Sequence, residues 1–160
     1  MKLMRVANIG LILGTIALLA AVASPASAAT AIPIKVTFAE GVAQQTDCPT
    51  SFTFCGIGQV VPLGHATETI LFNGACGGTC DLRVITLNNG TLILDETFSS
   101  LSCPSTCDRP GRGQPFSGVL TDVIVGSTGA YAGASGTLAG TVHVAGKSTQ
   151  IKLSGTLILP

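Results

Sequence analysis

The stretch GSTGAYAGASGTLAGTVHV, Gly126 to Val144, decides how the chain is read. Glycines alternate with small residues around a single tyrosine, Tyr131. A phosphate-binding loop would need a Lys-Ser/Thr pair after the glycines and a helix behind them. The stretch runs instead into TLAGTVHV, which has the pattern of a strand. A flexible linker is excluded as well, because Tyr131, Leu138 and Val142 interleave with the glycines and belong in a core. Glycine within strands marks bends, bulges or close backbone approach, and a small closed barrel fills its interior with alternating small and large side chains. The stretch is therefore read as a strand entry in a small β-barrel. Tyr131 is expected to plug one end, and Gly133, Gly136, Gly140 and Gly155 to make room for larger neighbours.

Outward from this stretch, apolar residues alternate with polar ones between Gly, Pro and Asn signals, the pattern of strands and turns. IPIKVTFAE puts Ile34, Val36 and Phe38 on one face and Lys35 and Thr37 on the other. GQVVPLGHATETILFN reads as a strand broken near Pro62 and a second one from about Ala66 to Phe72. LRVITLNNGTLILDETF is the clearest hairpin, with Asn89-Gly90 expected to supply the positive-φ positions of a tight turn. PFSGVLTDVIV is a further strand. SGTLAGTVHVAGKSTQIKLSGTLIL reads as a closing hairpin across Gly146-Lys147, with Ile151, Leu153, Leu157 and Leu159 on one face. Seven to eight strands and short turns predict an all-β fold, an antiparallel barrel with a β-sandwich as the alternative.

The first 28 residues are read separately, as a secretory signal peptide. MKLMR is basic, Ile9 to Val22 is apolar and uncharged, and Ala26 and Ala28 sit at the two small positions of an A-x-A cleavage site. The apolar run is 14 residues, short of the ~20 that a helix needs to span a bilayer. The expected mature chain, residues 29–160, is a single domain. Without Lys2 and Arg5 it carries six basic against eight acidic residues, a net charge of −2. So weak an acidity, with no Trp and one Tyr, excludes an electrostatic footprint for nucleic acid or anionic membrane and a base-stacking platform.

Six cysteines in an exported chain point to three disulfides. Cys48 and Cys55 are expected to pair. Cys76 and Cys80 lie in CGGTC, Cys103 and Cys107 in CPSTC. Each C-x3-C pair can close on itself, or Cys76 and Cys80 can bridge to Cys103 and Cys107 across the hairpin between them; the Gly and Pro in both loops favour local closure. A four-thiolate zinc site is the competing reading, set aside because no C-x2-C knuckle is present and an oxidising compartment favours bridging. No metal and no cofactor are expected.

GSTGAYAGASGTLAGTV resembles the G-x-T-G-x-[FY]-x-x-A-x-G segment of the dirigent and allene oxide cyclase barrel group. The resemblance covers about 20 residues, with the strand layout in support. It implies an eight-stranded antiparallel barrel, commonly oligomeric. The plant members of the group act on hydrophobic small molecules: one steers phenoxy-radical coupling, the other cyclises an unsaturated fatty epoxide. The acids and cysteines of this chain match neither active site, so the resemblance transfers fold before activity.

Glu68 and Asp122 sit mid-strand, where charge is unusual. Either side chain faces water, or points into an apolar lumen and becomes an acid–base candidate. His143, in TVHVAG, is the third weak catalytic candidate; its plain reading is a half-exposed strand residue. His65 is expected in a loop, and Asp95-Glu96 near a hairpin end, solvated. Arg109 and Arg112, beside Asp108 in CDRPGRGQP, either make a local ion pair or form a ligand rim at a barrel mouth. No Ser-His-Asp order, HExxH or calcium-loop spacing is present. Two functions remain: a secreted barrel that binds an apolar small molecule or assembles with copies of itself, and an isomerase, cyclase or coupling guide acting in the lumen. Two convergent polar groups in an apolar cavity would favour the enzyme.

Overall fold

A computed structural model describes residues 28–42, 48, 54–75, 80–103, 115–145 and 148–160. The strands are β1 (Thr30–Val42), β2 (Phe54–Val61), β3 (Gly64–Ala75), β4 (Cys80–Leu87), β5 (Gly90–Ser102), β6 (Phe116–Ser127), β7 (Ser135–Ala145) and β8 (Ser148–Leu159). They pair antiparallel in chain order, and β8 returns to β1 to close a barrel. The barrel, not the sandwich, is the fold. Closure leaves no sheet edge unpaired. Among the described residues no helix is long and apolar enough to cross a membrane.

Alternation decides which side chains go inside. Along β1, Ile34, Val36 and Phe38 are buried; along β8, Ile151, Leu153 and Leu157 are, while Gln150, Lys152 and Ser154 face out. Ala145 pairs with Ser148 across the expected closing turn. A side chain at Gly140 or Gly155 would strike the facing strand's carbonyl, Lys152 O at 1.9 Å or Thr137 O at 2.1 Å. These glycines therefore allow close backbone approach between β7 and β8; the room they make is for main chain, not for large side chains.

The β4–β5 turn differs by one residue from its expected place. Leu87 pairs with Gly90, so Asn88 and Asn89 turn the chain. Gly90 is needed for something else. A Cβ there would lie 2.1 Å from Thr128 O, and one on Gly129 would lie 2.2 Å from Asn89 O. The two bare backbones let the β6–β7 connection settle onto this turn, where Thr128 N donates to Thr91 O at 2.9 Å and Ala130 N to Asn89 O at 2.8 Å. A 3-10 turn, Gly129–Tyr131, then carries Tyr131 into the core, 7 % exposed.

The barrel thus has two different ends. The β2–β3 and β4–β5 turns and the Tyr131 segment share one. The β1–β2, β3–β4, β5–β6 and β7–β8 connections share the other, and the described cysteines lie there. Cys48 and Cys55 are bonded, with Cα atoms 5.7 Å apart. Cys80 opens β4, Cys103 follows β5, and both are disulfide-bonded. Cys76 and Cys107, and with them the choice between local and crossed pairing, lie outside the described residues. So do residues 1–27, the turn at Gly146-Lys147, and Arg109 and Arg112.

Candidate functional site

Five charged side chains occupy positions in step with the core residues of their strands. Glu40 continues the Ile34, Val36, Phe38 series of β1; Glu68 lies between Ala66 and Ile70 on β3; Arg83 precedes Ile85 and Leu87 on β4. Glu96 follows Leu92 and Leu94 on β5, and Asp122 lies between Leu120 and Ile124 on β6. Since side chains alternate along a strand, all five enter the barrel. None is more than 7 % exposed, and Arg83 and Asp122 are fully enclosed.

They converge on the guanidinium of Arg83. Its Nη1 bonds Glu68 Oε2 and lies 3.5 Å from Glu40 Oε1. Its Nη2 bonds Glu96 Oε2, which also accepts from Nε at 3.0 Å. Asp122 Oδ2 lies 3.3 Å from Nε. Glu40 and Glu68 are separated by one residue of β2, Gly56, which pairs with both. A Cβ at Gly56 would lie 2.7 Å from Glu68 Oε1, so the bare glycine is what admits the Glu68 carboxyl.

One guanidinium cannot neutralise four carboxylates, and unpaired charge is expensive away from water. Protons resolve the excess. Burial pushes Glu68 well above the ordinary carboxylate range; Arg83 pulls it back, and neighbouring Glu40 adds to the rise. Glu40 is raised by burial against the attraction of Arg83. Asp122 is pushed up to about 7, by burial first, with Arg83 opposing and Glu96 contributing. Burial works against the charge on Arg83, but Glu68, Glu96, Asp122 and Glu40 together outweigh it and hold the guanidinium charged. Glu40 Oε1, Glu68 Oε1 and both Asp122 oxygens have no hydrogen-bond partner among the described residues. Carboxyls raised by burial beside a fixed cation are groups of the kind that acid–base chemistry uses.

The cluster reaches a cavity at one point. Glu96 lines a pocket of about 350 Å³ together with Phe72, Asn73, Asp81, Phe98, Leu101 and Phe116, at the cysteine-bearing end. Phe98 and Phe116 meet edge-on, ring centroids 6.5 Å apart, and Phe72 stacks tilted on Phe54 at 5.0 Å. Asp81 is half-buried; its Oδ1 accepts from Asn73 N at 2.8 Å, and burial raises its carboxyl, a rise that this hydrogen bond opposes. A larger concavity, about 730 Å³, lies on the outer wall between Ala39, Ile57, Gln59, His65, Thr67 and Thr86 and touches none of the five.

Of the sequence candidates, Glu68 and Asp122 come together, both inside. His143 does not join them: it is exposed on the outer face of β7, where its Nδ1 and Ser117 Oγ are 2.8 Å apart, because it alternates with the inward Val142 and Val144. His65 is exposed at the start of β3, not in a loop. Glu96, expected in solvent, is buried, since β5 runs on to Ser102 and keeps that position inside. Arg83, Glu40 and Glu96 were missed, although each stands at a core position of its strand. Among the described residues no group of His, Cys, Asp and Glu is arranged to hold a metal ion.

No family model, no curated protein and no solved structure matches the chain.

Proposed function

We propose that the protein is an exported barrel that binds a small apolar molecule at its cysteine-bearing end. The observation that carries this reading is the pocket walled by Phe72, Phe98, Leu101 and Phe116, about 350 Å³, with carboxylates at its polar side. Small-molecule sites are concave, mostly apolar and marked by a few convergent polar groups. Export rests on the basic, apolar and small-residue order of residues 1–28 and fits the disulfides. Native mass spectrometry of the protein recovered from its own culture medium tests it. The expected species begins at Ala29 and retains a small molecule that Leu101→Asp, at a half-exposed wall position, releases. A chain recovered without ligand, with no apolar probe bound by either form, overturns the reading.

A second reading has its own observation. Glu68, raised well above the ordinary carboxylate range, and Asp122, pushed up to about 7, stand beside Arg83 and are suited to a proton-transferring isomerase or cyclase of the kind that the dirigent and allene oxide cyclase resemblance implies. Against it, the barrel interior around them is filled by Ile85, Leu92, Leu94, Leu120 and Leu138. Loss of turnover of a polyunsaturated fatty epoxide in Glu68→Gln and in Asp122→Asn, with the wild type active, is its test.

A further inference from the structure

Asp81 and Glu96 are register partners on β4 and β5, and both line the same phenylalanine-walled pocket. Behind Glu96 stand Asp122, Glu68 and Glu40, four carboxyls with Glu96 itself, and among the described residues Arg83 is the one cation paired with them. Arg83 is fully enclosed, and its Nε and Nη2 are spent on Glu96 Oε2. Glu68 Oε1 and Asp122 Oδ1 have no hydrogen-bond partner among the described residues, and Glu40 Oε1 and Asp122 Oδ2 meet Arg83 only as ion pairs. The described lining of the pocket includes no Lys or Arg.

We infer that the pocket's ligand is an organic cation: an apolar, ring-sized molecule carrying an ammonium group, held by Asp81 and Glu96 and covered by the faces of Phe72, Phe98 and Phe116. The inference rests on the apolar-pocket reading and adds the charge of the occupant. Aromatic faces attract a cation through their quadrupole, and more strongly where water is excluded. A carboxylate pair adds directional charge-assisted hydrogen bonds. Glu96 already has Arg83, but the described lining offers Asp81 no cation, so a neutral ligand would leave its carboxylate unmatched in the pocket and an anion would be repelled.

Three probes of one shape and different charge test this: phenylethylammonium, phenylethanol and phenylacetate, titrated into the oxidised mature protein by isothermal calorimetry. The cation is expected to bind about tenfold more tightly than the neutral alcohol, a difference of the size that desolvated cation–aromatic contacts supply. Asp81→Asn keeps an oxygen for the Asn73 N–H and removes the charge; it should erase most of the cation's advantage over phenylethanol, read as the ratio of the two affinities. Equal binding of all three probes overturns the cation inference and leaves the apolar pocket standing. Preference for phenylacetate overturns it too. If no probe binds, the pocket reading and the inference fall together.

Discussion

Glu96 and Asp122 face each other directly across β5 and β6, so two carboxyl groups meet inside the barrel with one guanidinium, Arg83, to serve both. The arrangement is tolerable only if a proton stays behind. That single relationship determines how the protein should respond to pH.

A carboxyl with a higher pKa in the folded than in the unfolded chain binds its proton more tightly when folded. Its stabilising effect is fully present below the unfolded value and is lost as pH rises through the folded one. For Asp122 that window runs from 3.8 to about 7; for Glu68 it extends from 4.5 to well above. The barrel should therefore be more stable toward urea at pH 5 than at pH 8, losing about 1.4 kcal/mol per pH unit for each proton released on unfolding. Asp122→Asn should flatten the profile between pH 5 and 7. A stability maximum at or above pH 8 would refute the protonated cluster.

Arg83→Met removes the one cation that the described residues bring to the cluster and leaves four buried carboxyls facing one another. Breaking a buried ion pair from one side costs about 3–5 kcal/mol. Because protons can substitute for the guanidinium, the loss should be much smaller at pH 4 than at pH 7. Urea midpoints at the two pH values decide it; an equal loss at both would mean that packing of the arginine stem, not its charge, is what matters.

Gly56→Ala places a methyl group 2.7 Å from Glu68 Oε1 and 3.1 Å from Ala39 O. Overpacking of this kind costs about 1–3 kcal/mol. Gly126→Ala is the reference, since its methyl would meet only the Ile93 side chain, at 3.3 Å. Thermal midpoints of the two variants should separate clearly, with Gly56→Ala the lower.

Tyr131→Ala empties a buried position at the turn-bearing end. Large-to-small changes of an aromatic residue cost about 3–5 kcal/mol. A thermal midpoint that stays within a degree or two of wild type would show that Tyr131 does not hold that end closed.

The strands could be read from local alternation because alternation is local: Ile34, Val36 and Phe38 need no distant information to share a face. The same parity assigns Glu40, Arg83 and Glu96 to the interior. Judged strand by strand, a charge at a core position contradicts burial, and the parity of these three residues goes unread. What reconciles them is closure. Only when β1, β3, β4, β5 and β6 curve around a common axis do four acids meet one arginine, and that depends on register between segments far apart in the chain. The turn at Asn88–Asn89 was misplaced by one residue for a related reason. Asn-Gly is a strong local turn signal, but Gly90 answers to Thr128 and Gly129 on another connection. His143 was weighed for its chemistry, while Val142 and Val144 beside it already required it to face outward.

The two ends of the barrel are closed by unlike chemistry. Around Tyr131 the closure is made of main-chain hydrogen bonds and backbone contacts between Gly90 and Gly129, which no reductant can touch. At the other end stand the Cys48–Cys55 bond and the disulfide-bonded Cys80 and Cys103. Among the described residues a thiol reagent thus finds its targets at one pole, and reduction is expected to loosen that end of the barrel before the end around Tyr131.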